Sequence, residues 1–274
     1  MNRLFVGFKP AGKSSNQYLS SLKRKYSPKK SGYSGTLDPF AKGVLVCAFG
    51  THTKLFRFLN KTPKSYRATL WLGADSETLD IEKVTNVEEV EELKESDIQK
   101  ALNSLVGTIE YLPPKYSAKK IDGKRAYALA REDKEFTMNS IESEVYETKL
   151  IHYNHPFITF EISVSEGAYI RSLAQVLLNR LNANLGTLSA LERLNEGLFR
   201  YNGEKSLDIR EYLNIPKNIF IGNVSKFEDG KVLNIEEFEV QKDGTYWVEY
   251  LNSIAIVEIE ENSVKYVLNK VEIC

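Results

Sequence analysis

The chain has 274 residues, 42% apolar and 11% aromatic, with 37 basic and 37 acidic side chains and a formal charge of zero. That content suffices to bury the core of one large domain, or one large and one small, and excludes a low-complexity chain. No apolar run approaches the roughly 18 residues of a membrane span. Residues 1–10 lack the apolar core of a signal peptide, and Cys47 and Cys274 stand far apart without metal or disulfide spacing, so a cytoplasmic protein is expected.

The zero average hides an uneven distribution. Residues 1–67 carry fourteen Lys and Arg against one acid, Asp38, whereas residues 68–100 carry ten acids against three bases. Residues 101–134 return to seven bases and four acids, and the remainder is acidic. A segment with Lys23-Arg24-Lys25, Lys29-Lys30, Lys54, Arg57, Lys61 and Lys64 suits a phosphate backbone. A merely solvated helix face would mix both signs.

In chain order, the pattern predicts a strand over 4–9, a turn at Pro10-Ala11-Gly12 and a helix over 15–26. The helix has Tyr18, Leu19 and Leu22 on its inner face, Ser14 or Ser15 as its cap and a basic last turn. Residues 32–45 follow as a loop, Gly32-Tyr33-Ser34-Gly35-Thr36-Leu37-Asp38-Pro39-Phe40-Ala41-Lys42-Gly43-Val44-Leu45. Its glycines allow backbone angles closed to other residues, and Pro39 fixes one dihedral and restricts Asp38 before it, so the loop can be rigid and aim the Asp38 carboxylate. By residue type Asp38 can be a nucleophile, a general acid or base, or a metal ligand, and equally an Asp before Pro caps turns.

Next come a strand over 44–49, a short helix capped near Thr51 with Leu55, Phe56 and Leu59 inward, and a strand over 65–72. Polar, acidic residues 73–86 are expected to be a mobile loop. A helix runs from Ser96 to Gly107 with Ile98, Leu102 and Leu105 inside, and Pro113-Pro114 breaks the chain. Residues 117–121 read as a strand, Asp122-Gly123 as its turn and 124–131 as a helix start. Two long strands over 144–150 and 157–164 meet near Asn154, and a helix covers 170–181. From Pro216 the chain alternates apolar and polar residues without a long helix. The expected class is therefore α+β: a mixed, largely antiparallel sheet with flanking helices over 1–215, and a small β-rich C-terminal domain over 216–274.

Gly7-Phe8-Lys9-Pro10-Ala11-Gly12-Lys13-Ser14 satisfies the G-x-x-x-x-G-K-[ST] pattern between a strand and a helix. A phosphate-cradling loop also needs a second strand ending in a metal-binding Asp, and Leu70-Trp71-Leu72 reaches Asp75 only across Gly73-Ala74. Strands also follow one another directly after residue 140, unlike a nucleotide-binding parallel sheet. No nucleotide cofactor is expected.

Gly35-Thr36-Leu37-Asp38-Pro39, continuing Ala41-Lys42-Gly43-Val44-Leu45, resembles the signature of bacterial tRNA pseudouridine-55 synthases, the TruB family. Lys9-Pro10-x-Gly12-x-Ser14-Ser15 is similar to that family's first motif, Tyr66-Arg67 to its tyrosine motif, and Gly167-Ala168-Tyr169-Ile170-Arg171-Ser172-Leu173 to its arginine motif. Tyr116-Ser117-Ala118-Lys119 with Gly123-Lys124-Arg125-Ala126-Tyr127 adds a fifth, and the resemblance covers about residues 3 to 200.

The resemblance implies isomerisation of uridine 55 in the T loop of tRNA, without a cofactor or metal, by an enzyme that flips the base out of its stack. It implies Asp38 as the attacking carboxylate, at C6 of the base or C1′ of the sugar, Arg171 as its charge partner, and Tyr66 stacked on the detached uracil. Tyr169 packs beside the base and Leu191 closes the pocket, while Lys9 and Lys42 are expected to meet the RNA. Tyr33 stands where the family usually has a His that fills the space left by the flipped base and is expected to keep that role by stacking; Lys42 stands where a small hydroxyl residue is common, and Ala168 where Thr is common. The C-terminal tail resembles a reduced RNA-binding module of the PUA type. The partner is the T arm of tRNA, and a monomer is expected because tRNA offers a single site. The competing reading is a tRNA-binding or RNA-folding protein that uses the same basic end without chemistry.

Overall fold

The long alternating segments join into one eight-stranded sheet. The computed structural model describes residues 1–117, 119–121, 123–132 and 135–273; Ala118 and Asp122 of the expected strand and turn, and Cys274, lie outside the described residues. The chain begins with β1 (Arg3–Lys9), α1 (Ser15–Tyr26), β2 (Ser31–Ser34) and β3 (Lys42–Phe49), followed by β4 (Lys64–Leu72) and a small hairpin, β5 (Ala74–Ser76) with β6 (Val84–Val87). Then come α2 (Glu95–Asn103), β7 (Gly107–Tyr111), the short pair β8 (Lys120–Ile121) and β9 (Lys124–Arg125), and α3 (Ala126–Arg131). The hairpin of β10 (Ile141–Asn154) and β11 (Phe157–Val164), α4 (Ile170–Arg180) and β12 (Gly186–Glu196) complete the large unit. A short α5 (Ser225–Asp229) and a three-stranded sheet, β13 (Gly244–Tyr250), β14 (Ser253–Glu260) and β15 (Ser263–Glu272), end the chain.

The large sheet runs β1-β3-β12-β4-β11-β10-β7, with β2 also on β3. Its pairings are antiparallel except for a brief parallel contact of β3 with β12, at Lys42 with Glu192 and Gly43 with Arg193. The expected mixed, largely antiparallel α+β class holds. β4 shows why the sheet has an inner face: Lys64, Tyr66, Ala68, Leu70 and Leu72 alternate inward with more open neighbours. Of these, Tyr66, Ala68, Leu70 and Leu72 pack with Ile98 and Leu102 of α2 and Leu173 and Leu177 of α4. β1 and β3 are covered on both sides, which explains their unbroken apolar runs. Phe5, Leu45 and Phe49 lie under Tyr18 and Leu22 of α1. Leu4, Val6, Val44 and Val46 lie under Leu55, Leu59 and Phe199 and under Trp247, Ile254 and Ile256 of the small sheet. The small sheet also has its own cluster, around Phe227, Phe238, Val248 and Val257. Among the described residues no helix is long and apolar enough to cross a membrane.

Several local expectations change. Residues 73–86 are not a solvated mobile loop: they form the β5–β6 hairpin, with Ser76, Thr78 and Asp80 buried. Their polarity is satisfied inside, because Ser76 and Thr78 donate to the Asp80 carbonyl or carboxylate and Asp80 meets a distant arginine. The short helix near Thr51 is two 3-10 turns, Gly50–Lys54 and Phe56–Phe58. α2 ends at Asn103, and Gly107 instead opens β7.

Gly43 sits at the parallel contact with φ +118°, and a Cβ there would lie 2.3 Å from the carbonyl oxygen of Arg193. Gly43→Ala is therefore expected to lower the melting temperature by roughly 5–10 °C, the scale of about 2–3 kcal/mol in a domain of this size. Gly107→Ala, at φ +112° but with no atom near its added Cβ, is expected to cost clearly less. Equal losses in thermal melts would show that backbone angle alone, not the approach of β12, demands the glycine.

Candidate active site

The loop joining β2 to β3 is held from several sides. Ser14 caps α1 by accepting from the Gln17 N–H, and Gln17 reciprocates on the Ser14 N–H. The next residue, Ser15, is buried and clamps Leu37 twice, accepting from its N–H at 2.9 Å and donating to its carbonyl at 3.1 Å. The Gly12 N–H donates to the Pro39 carbonyl at 2.8 Å, and Leu37, Phe40 and Ala41 are buried around the turn. Arg193, almost wholly buried, donates to the carbonyls of Gly35 and Val44 and so ties the two ends of the loop together. With its neighbours anchored in this way, Asp38 is the side chain the loop presents.

Lys9 is a correction. It was expected to meet the RNA, but it is fully buried and its ammonium donates to the carbonyls of Pro10, Lys13, Pro39 and Ala41. Burial pulls its pKa down to about 8. Four carbonyl acceptors explain why a cation is nevertheless kept there. The phosphate-loop pattern at Gly7 to Ser14 is thus filled by its own lysine and by Pro39.

Asp38 faces Arg171, at the start of α4, with Oδ2 2.9 Å from the guanidinium Nε. The rest of the fork is occupied as well. Nη1 donates to the Thr78 carbonyl at 2.8 Å and to Asp80 Oδ2 at 3.3 Å, and Nη2 donates to the Tyr116 carbonyl at 2.9 Å. Arg171 is 3% exposed, so its single charge is distributed over two carboxylates and two carbonyls with little water. Asp80 is itself fixed by the Thr78 hydroxyl at 2.6 Å and the Glu82 N–H at 3.0 Å. Sequence reading missed Asp80: it is one acid among ten in its segment, and nothing local separates it from Glu77 or Glu82.

Asp38 and Arg171 lie in a cavity of about 270 Å³ whose other walls include Tyr66, Tyr169, Leu191 and Lys64. That is near the lower end of small-molecule sites, roughly 300–1,000 Å³, and leaves room for one nucleoside. Tyr66 comes from β4, Leu191 from β12, and Tyr169 from the turn before α4, where its N–H donates to the Tyr111 hydroxyl. The structure therefore brings together Asp38, Arg171, Tyr66, Tyr169 and Leu191. It does not bring in Tyr33, which packs beside the α1 cluster and donates its hydroxyl to Asn16. Nor does it bring in Lys42, whose ammonium is 3.3 Å from Glu192. Glu192 alternates with the cavity-lining Leu191 and Arg193, so this pair lies on the far face of β12.

Burial raises the Asp38 carboxyl above its ordinary range, Arg171 counteracts this, and the Asp80 charge raises it further. A group that must be ionised to attack then becomes active only as pH rises through this elevated value. Asp80→Asn removes one of the two negative charges facing Arg171. The acid limb of kcat/KM is expected to move to lower pH, while kcat falls about 10- to 100-fold as the fork loses a charged acceptor. An unmoved acid limb in the pH profile would mean that Asp80 does not act on Asp38 through charge.

Comparison with known proteins adds an independent line. Residues 23–170 match the profile of a family described as TruB family pseudouridylate synthase, N-terminal domain. A protein of Sulfurimonas denitrificans named tRNA pseudouridine synthase B is 54% identical over 99% of this chain and all of its own. One of the same name from Campylobacter jejuni is 50% identical over the full length of both. Among solved structures, a Cbf5-Nop10-Gar1 complex superposes with a TM-score of 0.68 at 18% identity, covering 99% of this chain and 84% of the matched chain. A second, an H/ACA ribonucleoprotein bound to a substrate RNA containing 2′-deoxyuridine, gives 0.64 at 16% identity, over 99% of this chain and 84% of the other. At such identities these two show the shared fold alone.

Proposed function

This chain belongs to the TruB family of pseudouridylate synthases, and we propose that it isomerises uridine 55 in the T loop of tRNA to pseudouridine, with Asp38 as the nucleophile. The reaction breaks the bond between N1 of uracil and C1′ of ribose, turns the base and joins C5 to C1′. The proton on C5 is lost and N1 gains one, so nothing is oxidised and no co-reactant is consumed. A carboxylate that adds to C6 or to C1′ divides this into two easier displacements. The single observation that supports the role most directly is the 2.9 Å contact of Asp38 with a buried, fully engaged Arg171 inside a cavity sized for one nucleoside.

The remaining roles follow from position. The target base must leave its stack, at a cost that contacts in the cavity offset. Tyr66 offers an aromatic face for the base, Tyr169 packs at its side and Leu191 excludes water above it. The basic end of the chain and the Lys119 to Arg131 region supply cations for the T arm. In this reading residues 1–215 carry the chemistry and 216–274 form an accessory RNA-binding unit. The test uses a tRNA transcript with tritium at C5 of its uridines. One equivalent of tritium released to water by the wild type, and none from a transcript with cytidine at position 55, is expected; release unaffected by that change would overturn the assignment of the target.

A further inference from the structure

We propose that Lys64, at the rim of the Asp38 cavity, and Lys61, which shares Glu166 with it, bind one phosphodiester of the RNA substrate, and that Glu166 holds this position until RNA displaces it; the proposal rests on the function proposed above. Both ammonium groups converge on the same oxygen of Glu166, at 3.2 and 3.4 Å. Their side chains are only 13% and 7% exposed, whereas that of Glu166 is 54% exposed. The cations are thus the fixed members and the carboxylate is the movable one. Lys61 also donates to the Ser34 hydroxyl at 3.1 Å, and Lys64 lies 3.4 Å from the wholly buried Glu196, which Arg193 shares. Such an arrangement keeps two ammonium groups aimed at one point after the first anion leaves.

Glu166 is in the turn between β11 and α4, beside Gly167, whose φ is +89° and whose surroundings are open. Lys64 and Glu166 line the same cavity as Asp38, so an anion between the two lysines would be the phosphate of the nucleotide in the cavity or of its neighbour. Exchange of the Glu166 carboxylate for a phosphodiester replaces one negative charge with another and leaves the charge of the rim unchanged. Two lysines serve a phosphate as point charges, without the planar geometry that would favour a carboxylate.

The test is binding of a tRNA transcript over about 50 to 300 mM KCl, where phosphate contacts dominate the salt dependence. Glu166→Gln is expected to bind about fivefold more tightly at the low-salt end, with an unchanged log–log slope, because the same phosphate contact forms in both proteins. Lys61→Ala should bind more weakly with a shallower slope, and adding Glu166→Gln to it should recover less than half of the gain. Glu161→Gln serves as the control, because it removes an equal charge from the Arg67 pair, which alternates with Tyr66 and faces away from the cavity. Wild-type or weaker affinity in Glu166→Gln, or the same gain in Glu161→Gln, would overturn the proposal. Tritium release by the wild type is measured alongside: an inactive wild type sinks the synthase reading itself, while an active one with an unaltered Glu166→Gln curve sinks this site alone.

Discussion

Asp38→Asn is expected to abolish tritium release from C5-labelled tRNA, by at least about 10⁴-fold, while the dissociation constant for tRNA changes by no more than about threefold. Asn keeps the shape of the side chain and removes only its charge, and with it the proposed nucleophile. Arg171 remains held by Asp80 and by the carbonyls of Thr78 and Tyr116, so the cavity floor has no reason to collapse. Thermal stability gives a second readout with a definite sign. A carboxyl whose folded pKa is raised carries a cost when ionised, present at neutral pH and lost as pH falls toward the unfolded value of 3.8. Asp38→Asn should therefore melt at or above the wild-type temperature near pH 7, and the difference should shrink in acid. A variant that loses tRNA binding and stability together would instead mark Asp38 as structural, the role that an Asp before Pro can have in a turn.

What could be read from the chain follows from how locally each feature is determined. Helix α1 matched its expected range because Ser14, the Tyr18–Leu22 face and the basic last turn all lie within it. Asp38 stood out because it is the only acid in the first 67 residues, between glycines. Lys9 was misjudged for the complementary reason. A count of positive charges does not distinguish a solvated lysine from one enclosed by four carbonyls, and the carbonyls of Pro39 and Ala41 approach only when the loop folds back. The acidic hairpin was misjudged likewise, since the partner that permits burial of Asp80 is Arg171, 91 residues further along. Lys64 was legible only as one of the cations suited to a phosphate backbone, and not as a buried one that Glu196 from a distant strand balances inside. In each case a charge was legible and its neutralising partner was not, because long-range pairing decides whether a charged group is buried.

That dependence makes Arg171→Lys the more searching substitution. It preserves the charge and most of the length, and a role limited to overall electrostatics would survive it. The observed geometry needs more, because three nitrogens serve four acceptors in fixed directions. An ammonium group placed near Asp38 cannot also reach Asp80 and both carbonyls, so buried acceptors are left without donors. Breaking one partner out of such a buried pair is costly, and kcat/KM is expected to fall by roughly 10³-fold. The pH profile separates mechanism from damage. Arg171 is the main influence holding down a carboxyl that burial raises, so weakening it should move the acid limb to higher pH, opposite to the shift expected for Asp80→Asn. If Arg171→Lys instead keeps the wild-type acid limb and most of its rate, Asp38 does not depend on the fork for its ionisation, and the chemical role assigned to the Asp38–Arg171 contact fails.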